Sequence, residues 1–274
     1  QTYSRILEDR GEMAKVIIRE LKEIQKEYGR ERRTALDNVA QAVVEEKPIE
    51  ETDVAVLIDR FSYGRCVDMS VFERNREAAE SECKRIIFCK NTDKLAIFTN
   101  TGQMHLVKVL DLPQGKFRDK GQPLDNVSNF DSGSEREIYI EALGNLKEKK
   151  LIFGTKTGML KVVAGSEFIV GKRTTAATKL AEGDELLTVA PLEEEETLVM
   201  QTAGNVFLRI DAATIPEKKK GAVGVRGIRL ETGDLLEEIH VLHPGDNPTV
   251  TVKGKTVYLN RLHIGNRDTK GVKK

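Results

Sequence analysis

The chain has 274 residues, of which 39% are hydrophobic, so it can build a sizeable core and is not a disordered protein. Aromatic residues make up only 5% and Trp is absent, which disfavours base stacking on aromatic platforms, whereas 32% charged residues favour electrostatic contacts. Lys plus Arg (44) balances Asp plus Glu (44), which argues against a generally basic nucleic-acid binder.

The cysteines and the chain start indicate a cytoplasmic protein. Cys66, Cys83 and Cys89 are odd in number and form no Cys-x-x-Cys pair, so neither a disulfide framework nor a zinc site is expected. No run approaches the roughly 18 apolar residues that span a bilayer, so we expect no membrane contact. The start, Gln-Thr-Tyr-Ser-Arg, lacks an initiator Met and a signal peptide, as an excised fragment would.

Residues 4–33 are predicted to form a helix. Apolar side chains recur at alternating spacings of three and four and draw one stripe, at Leu7, Ala14, Ile17, Leu21, Ile24 and Tyr28. The helix packs on its own domain or is one arm of a coiled coil whose partner lies upstream. We assign residues 1–36 to this element and residues 37–52, with an acidic cluster and one Pro, to a linker.

From residue 53 the pattern changes to short β-branched runs separated by polar turns, and it repeats. Five times an apolar strand enters a turn at Gly and leaves as a second strand: 54–58 with Gly64, 95–99 with Gly102, 151–155 with Gly158, 198–202 with Gly204, and 250–252 with Gly254. Gly133, Gly183 and Gly233 mark a second element with a period of 50 residues. Residues 53–274 are therefore predicted to form an all-β, propeller-like domain of about five four-stranded blades rather than a sandwich.

No catalytic or metal-binding constellation is predicted. His105, His240, His243 and His263 lack the His-Glu-x-x-His spacing of metal sites. The acidic run at residues 193–196 is interpreted as a solvated turn, since it lacks the apolar setting that raises a carboxyl pKa for acid catalysis.

The densest basic feature lies between Lys218 and Arg229, where five cations fall on a Gly-rich loop that lets the backbone approach a phosphate. A merely soluble loop is the alternative. Similar cations recur between the predicted blades and would form a basic band that binds duplex without reading sequence. The candidate DNA contacts are Arg65, Arg74, Arg76, Lys84, Arg85, Lys116, Arg118, Lys120, Lys172, Arg173, Lys218, Lys219, Lys220, Arg226 and Arg229.

Several segments carry a family resemblance. ILEDR at 6–10, VIIRELKEI at 16–24 and YGRERRT at 28–34 resemble the descending coiled-coil helix and its exit in bacterial gyrase and topoisomerase IV A subunits, which are type IIA topoisomerases. KLAIFTNTG at 94–102, GQPL at 121–124 and GVRGIRL at 224–230 resemble the strand-turn-strand units of that family's C-terminal domain. The resemblance covers essentially the whole chain.

The resemblance implies a β-pinwheel, a propeller-like disc whose blades exchange strands, which binds and bends duplex DNA and steers it to the enzyme core. It implies a cytoplasmic, nucleoid-associated A2B2 assembly, in which a homodimer of A subunits joins B subunits that hydrolyse ATP with Mg²⁺. The DNA-cleaving tyrosine of the family lies upstream of the matched segments, so Tyr3, Tyr28, Tyr63, Tyr139 and Tyr258 are not assigned its role. We therefore expect a fragment without cofactor that is inactive alone.

One departure from the family concerns the subtype. Gyrases carry a Gln-Arg-Arg-Gly-Gly-Arg-Gly-like box where this chain has FERNREAAE at 72–80, without glycines and with acids mixed in. Together with the neutral net charge, this favours a topoisomerase IV-like enzyme over a gyrase, with a gyrase that has a degenerate box as the alternative. A protein-interaction propeller of the kelch kind is the alternative from a different class.

Overall fold

The computed structural model describes residues 9–30 and 49–274, and the chain divides into two compact units, Gln1–Pro48 and Ile49–Lys274. In the first unit, helix α1 spans Arg10–Tyr28. The Asp9 carboxylate accepts a hydrogen bond from Gly11 N at 2.7 Å and so caps its start. The helix thus lies within the predicted span, while residues 4–8 and 31–33, with most of the predicted linker, lie outside the described residues.

The apolar stripe of α1 is present as predicted, with Ile17, Leu21, Ile24 and Tyr28 at helical spacing, and all four side chains are exposed. Across the described part of the chain, we find no helix with the length and apolar character that a membrane crossing requires.

The second unit is built from short strands. In chain order they are β1 (Asp53–Ile58), β2 (Tyr63–Asp68), β3 (Arg85–Lys90), β4 (Lys94–Thr99), β5 (Gln103–Lys108), β6 (Gln122–Pro123), β7 (Glu137–Ala142), β8 (Lys150–Thr155), β9 (Met159–Ala164), β10 (Thr174–Ala176), β11 (Leu186–Leu192), β12 (Thr197–Thr202), β13 (Val206–Asp211), β14 (Val225–Arg226), β15 (Leu236–Leu242), β16 (Thr249–Val252), β17 (Lys255–Tyr258), β18 (Ile264–Gly265) and β19 (Val272–Lys273). The first strands of the five predicted hairpins, β1, β4, β8, β12 and β16, are all present.

Short helices join some of these strands. They are α2 (Met69–Arg74), α3 (Arg76–Glu82), α4 (Leu124–Val127) and α5 (Leu143–Leu146), together with 3-10 turns at Val109–Asp111, Gly165–Phe168, Ala212–Thr214 and Leu259–Arg261.

Within residues 49–274 the strands form four larger sheets, which we call blades, and one two-stranded hairpin. Blade 1 is β3-β1-β2-β6, blade 2 is β7-β4-β5-β10, blade 3 is β11-β8-β9-β14, and blade 4 is β15-β12-β13 with both β18 and β19 on β13. The predicted fifth unit is the hairpin β16–β17 rather than a four-stranded blade.

The order of the strands shows that neighbouring blades exchange segments. The chain makes the β4–β5 hairpin of blade 2, returns to place β6 on blade 1, and then adds β7 to blade 2. The same return places β10 on blade 2 after the β8–β9 hairpin and β14 on blade 3 after the β12–β13 hairpin. This exchange is the pinwheel topology that the family resemblance implies.

The core lies between successive blades, because most central strands are buried on both faces. An aromatic cluster of Phe98, Phe153 and Phe168 joins blades 2 and 3, with ring centroids 5.1 Å apart for Phe98 and Phe168 and 5.6 Å for Phe153 and Phe168. Apolar side chains of β1 and β4 pack together between blades 1 and 2 in the same manner.

The tight turns only partly follow the glycine pattern. Gly102, Gly158 and Gly254 adopt positive φ, as predicted for hairpin turns. In the other two hairpins the left-handed residues are Ser62 and Asn205, both with φ of 61°, whereas Gly64 lies inside β2. The prediction was therefore wrong about Gly64 and Gly204, because a neighbouring polar residue takes the strained position.

Candidate nucleic-acid interface

The segments that cross between blades carry a set of exposed cations. Each segment returns from one hairpin to the preceding blade. Its first contact there is a parallel bridge or a single backbone hydrogen bond, and it ends in the short strand that completes that blade. We call the intervening stretches, residues 114–121, 170–173, 217–224 and 265–271, exchange loops 1 to 4. They occupy equivalent positions on blades 1 to 4, so any charge that they share recurs from blade to blade.

Exchange loop 1 carries Lys116, Arg118 and Lys120, and all three side chains are exposed. The Asp119 carboxylate accepts a hydrogen bond from the Lys116 backbone N–H at 2.7 Å, which fixes the turn. The loop ends at Gly121, where a Cβ atom would lie 2.7 Å from Gly64 O. Only glycine permits this close approach, so the loop is held tightly to β2 while its cations face solvent.

Exchange loops 2 and 3 repeat this arrangement. Lys172 and Arg173 are exposed, and Arg173 O accepts a hydrogen bond from Leu106 N at 2.7 Å. Lys218 and Lys219 are also exposed, and the Lys218 N–H donates to Val162 O at 2.8 Å. The backbone of each loop is therefore attached to a strand, and these four cationic side chains are left for an external anion.

Exchange loop 4 was missed by the sequence reasoning. It carries Arg267, which is half-buried and donates to Arg226 O at 3.1 Å, and Lys270, which is exposed. A signal was present in the sequence, because Gly-Asn-Arg-Asp-Thr-Lys-Gly at 265–271 repeats the Arg-Asp and Lys-Gly pairs of Gly-Lys-Phe-Arg-Asp-Lys-Gly at 115–121.

The other candidate DNA contacts are not among the exposed cations of the exchange loops. Arg65 is buried, with 8% of its surface exposed, and its guanidinium lies 5.4 Å from the Phe117 ring centroid. Lys220 is half-buried, and its Nζ donates to Glu167 O at 3.0 Å. Both side chains therefore face the protein, so Arg65 and Lys220 are not part of the exposed basic band that was predicted.

Six further candidates lie outside the exchange-loop set. Lys84 and Arg85 lie 3.1 and 3.0 Å from the buried Glu137 carboxylate. Arg76 pairs with Glu73 and Glu80, Arg226 and Arg229 share Asp268, and Arg74 Nε donates to Ser70 O at 3.0 Å. A carboxylate near a cation reduces its attraction for phosphate, so five of these six positions are weaker candidates than the exchange-loop cations.

The segment that stands where a gyrase box is expected is helical. Residues 72–80 fall in α2 and α3, with Asn75 between the two helices, and Phe72 and Ala79 are buried. The Phe72 ring meets Phe88 edge to face with centroids 5.0 Å apart. This stretch is therefore packed against blade 1 and is not a glycine-rich loop.

The acidic run at residues 193–196 is an exposed turn at its first three residues, as interpreted, but not at Glu196. Glu196 is buried, with 1% of its surface exposed, and its Oε2 accepts a hydrogen bond from Glu193 N at 2.9 Å. Its Oε1 contacts His243 Nδ1. Glu196 is thus an internal polar contact of blade 4, and the interpretation was wrong for this residue because its histidine partner lies far along the chain.

This arrangement is suited to binding a polyanion without reading its bases. Seven cations of the described residues are exposed on exchange loops 1 to 3: Lys116, Arg118, Lys120, Lys172, Arg173, Lys218 and Lys219. In residues 49–274 the longest helix, α3, has seven residues, so this region offers no recognition helix of ordinary length for the major groove. Contacts would be made to phosphates, which fix position but carry no sequence information.

Comparisons with known proteins agree with the fold. A family model described as the DNA gyrase C-terminal domain, a beta-propeller, matches residues 149–193 and 196–242. The A subunit of DNA gyrase from Lawsonia intracellularis is 27% identical over 292 residues, which cover 98% of this chain and 35% of that protein. The chain spans about a third of the length of the curated relatives it matches.

Solved structures give the same result. The C-terminal domain of DNA topoisomerase IV aligns with a TM-score of 0.71 and 20% identity, covering 82% of this chain and 73% of that one. The C-terminal domain of DNA gyrase A aligns with a TM-score of 0.54 and 15% identity, covering 80% of this chain and 76% of that one. The predicted fold is thereby confirmed.

Proposed function

We propose that this chain, whose β domain belongs to the family of C-terminal domains of gyrase A and topoisomerase IV, is a non-catalytic module that binds and bends duplex DNA. The observation that carries the proposal is the recurrence of exposed cations on exchange loops 1 to 3. A duplex is a repeating polyanion, and cations presented at equivalent places on successive blades can follow its backbone.

Bending follows from the same recurrence. A duplex that contacts three exchange loops must follow the turn from one blade to the next, and contacts to several loops offset the elastic cost of bending. Because the contacts are to phosphates, no base is read, and bending should vary among sequences only with the stiffness of the duplex.

We also propose the assembly in which this module acts. The module acts in the cytoplasm with a nucleoid-associated type IIA topoisomerase, as part of a dimer of A subunits with B subunits that use ATP and Mg²⁺. In that assembly it delivers a DNA segment to the strand-passage core and supplies no catalytic residue itself.

We favour a topoisomerase IV-like subtype. The helical, packed segment at residues 72–80 supports this, since it leaves no glycine-rich basic loop at the place of the gyrase box. The competing proposal is a gyrase with a degenerate box, which the names of the sequence relatives favour.

DNA binding is tested with a fluorescent duplex of about 40 base pairs at low salt, with energy transfer between its ends as the bending readout. We expect salt-sensitive binding and closer duplex ends. No binding at low salt would contradict the proposal and favour a protein-interaction propeller.

Charge reversal locates the interface. The K218E/K219E double variant should bind unrelated duplexes about tenfold more weakly, by a similar factor for each sequence. The matched control is K147E/K255E, which changes the net charge equally at exposed lysines outside the exchange loops. Equal losses in both variants, or a loss confined to one sequence, would contradict phosphate contact at exchange loop 3.

The subtype is tested with the enzyme reconstituted from its full-length A and B subunits. Relaxation and decatenation without negative supercoiling of relaxed plasmid in the presence of ATP are expected. ATP-dependent negative supercoiling would reverse the assignment to gyrase.

A further inference from the structure

A lysine is buried beneath exchange loop 3. Lys161 lies in β9 between the buried residues Leu160 and Val162, and 2% of its surface is exposed. Its Nζ donates hydrogen bonds to Lys220 O at 2.5 Å and to Ala222 O at 2.9 Å. Burying an ammonium group costs several kcal/mol unless hydrogen bonds compensate, and here the compensating acceptors belong to the exchange loop.

The same strand position is basic in three of the four blades of residues 49–274. Arg65, His105 and Lys161 pair with Leu57, Ile97 and Phe153 in equivalent registers, and all three are buried. Blade 4 carries Leu208 at this place, opposite Met200.

Each of these basic side chains contacts the exchange segment of its own blade. Arg65 lies over the Phe117 ring, and His105 Nδ1 is 3.1 Å from Thr174 Oγ1. Lys161 makes the most direct contact, since it binds two backbone carbonyls. Because the contact recurs in three blades, it indicates that these basic residues hold the exchange segments in place.

Exchange loop 3 is held on its inner side at several points. Besides the two carbonyls, the Lys220 N–H donates to Glu167 Oε2 at 2.8 Å. At Gly224 a Cβ atom would lie 2.4 Å from Leu160 O, so the backbone is in close contact with β9 there. Lys218 and Lys219 precede these attachment points and are exposed.

We propose that Lys161 is a positioning residue for DNA binding, whose ammonium group fixes the backbone of exchange loop 3 and so presents Lys218 and Lys219 to phosphates. The inference rests on the proposed DNA-binding function. A loop ordered before binding does not lose conformational freedom on binding, which raises affinity without any added contact.

The charged groups around Lys161 define how this attachment responds to pH. Glu167 lies in the 3-10 turn after β9, Lys220 in the exchange loop, and Lys179 and Asp184 line the same small cavity. Burial lowers the pKa of Lys161 to about 8, and Glu167 opposes part of this change. Because the pKa is lower where the loop covers Lys161, loss of the proton favours the attached loop over a detached one, so the attachment should persist as pH rises through about 8.

The central variant is Lys161→Met, which keeps the length of the side chain and removes the donor. We expect DNA binding about fivefold weaker and faster hydrogen exchange at the amides of residues 218–224 without DNA. Lys179→Met is the matched control, because it removes one exposed lysine that donates no hydrogen bond to the loop among the described contacts. Lys161→Arg should retain binding, since Arg65 fills the equivalent place in blade 1.

A second readout does not depend on the folding of the methionine variant. Arginine keeps a charged donor at this place, so Lys161→Arg should keep the slow hydrogen exchange of the amides of residues 218–224 and bind DNA within about twofold of the parent chain. Fast loop exchange with the affinity of the parent chain in Lys161→Arg, or unchanged loop exchange and affinity in folded Lys161→Met, would overturn the inference. Failure of the parent chain to bind DNA at low salt would instead contradict the proposed function, whereas the exchange measurement tests the attachment alone.

Discussion

Two cations of equal charge have different physical roles, depending on what lies beside them. Arg85 is 3.0 Å from Glu137, whose side chain is 3% exposed, whereas Lys219 is exposed on exchange loop 3. Arg85 therefore compensates a buried carboxylate, and Lys219 is available to an external anion.

We predict that Arg85→Ala lowers the free energy of unfolding by about 1–3 kcal/mol, because it leaves a buried carboxylate undercompensated, and changes DNA affinity by less than about twofold. Lys219→Ala should weaken DNA binding and leave the free energy of unfolding nearly unchanged. Urea unfolding and duplex titration of both variants check this, and an Arg85→Ala chain of full stability with weakened DNA binding would contradict it.

A second prediction concerns the backbone contact of exchange loop 3. Gly224→Ala should destabilise the chain by about 1–3 kcal/mol, because the new Cβ would lie 2.4 Å from Leu160 O. Gly221→Ala is the control from the same loop, since nothing lies within 4 Å of its Cβ position. Denaturant midpoints measure both, and equal stabilities would show that the loop does not need this contact.

Stability should also depend on pH through Lys161. Its folded pKa is about 8 and its ordinary value is 10.5, so above pH 8 the unfolded chain holds more protons and the free energy of unfolding rises with pH. The rise is at most about 1 kcal/mol per pH unit. Burial raises the pKa of Cys66 to about 11, which has the opposite effect above pH 9, so the window is pH 8–9.

Urea unfolding of the parent chain and Lys161→Met between pH 7.5 and 9 isolates this contribution. The parent chain should gain stability relative to the variant across the window. Parallel pH profiles would show that Lys161 titrates outside it.

Single residues were the hardest part of the site to predict from the sequence. Arg65 was interpreted as a surface cation because lysine and arginine are mostly exposed in proteins, and for the same reason the burial of Lys161 was not predicted. The carbonyls that hold Lys161 lie 59 and 61 residues away in the chain, so the sequence nearby does not reveal them. A local signal existed, since Lys161 interrupts a run of apolar residues in a strand buried on both faces.

At the scale of elements, the hairpins were predictable and the exchange strands were not. β4 and β8 begin one residue before the predicted runs and end where predicted, because a fully buried strand is a continuous apolar run. β6 and β14 have two residues each, which is too short for any periodicity to show. Their places depend on glycines that permit close backbone approach.

The last exchange segment should protect an edge. Deletion of residues 263–274 removes β18 and β19 and uncovers β13, which is then free to pair with other chains. We expect a thermal midpoint lower by about 5 °C or more, with concentration-dependent association.

Calorimetry and sedimentation measure these two effects. The K273A/K274A variant is the control, because it removes the terminal cations and keeps the backbone of β19. A truncated chain that remains monomeric and equally stable would contradict the protective role.

At the scale of the molecule, the exchange loops should act together. K172A/R173A and K218A/K219A should each reduce the salt slope of DNA binding by about 2, and by about 4 when combined, because the loops lie on different blades and act independently. Anisotropy titrations across a salt series test this. If the second pair of substitutions added nothing, the duplex would not span both loops.

The overall architecture was accessible from the sequence because repetition reveals it. Gly183 and Gly233 adopt positive φ at equivalent places 50 residues apart, so the period reflects real geometry. The fifth unit is a two-stranded hairpin, because β18 and β19 return to blade 4 as the earlier exchange strands return to theirs, and no other described strand pairs with β16 or β17.

Strand exchange also sets the order in which the blades can be completed as the chain leaves the ribosome. β2 ends at Asp68, but the segment that covers its outer edge, Gln122–Pro123, emerges about fifty residues later, which is several seconds of synthesis. During that interval the nascent blade lacks its fourth strand, and the strands of the next hairpin, β4 and β5, are synthesised before the return segment. Each blade is thus closed by its successor, and an error in one hairpin leaves the preceding blade unfinished.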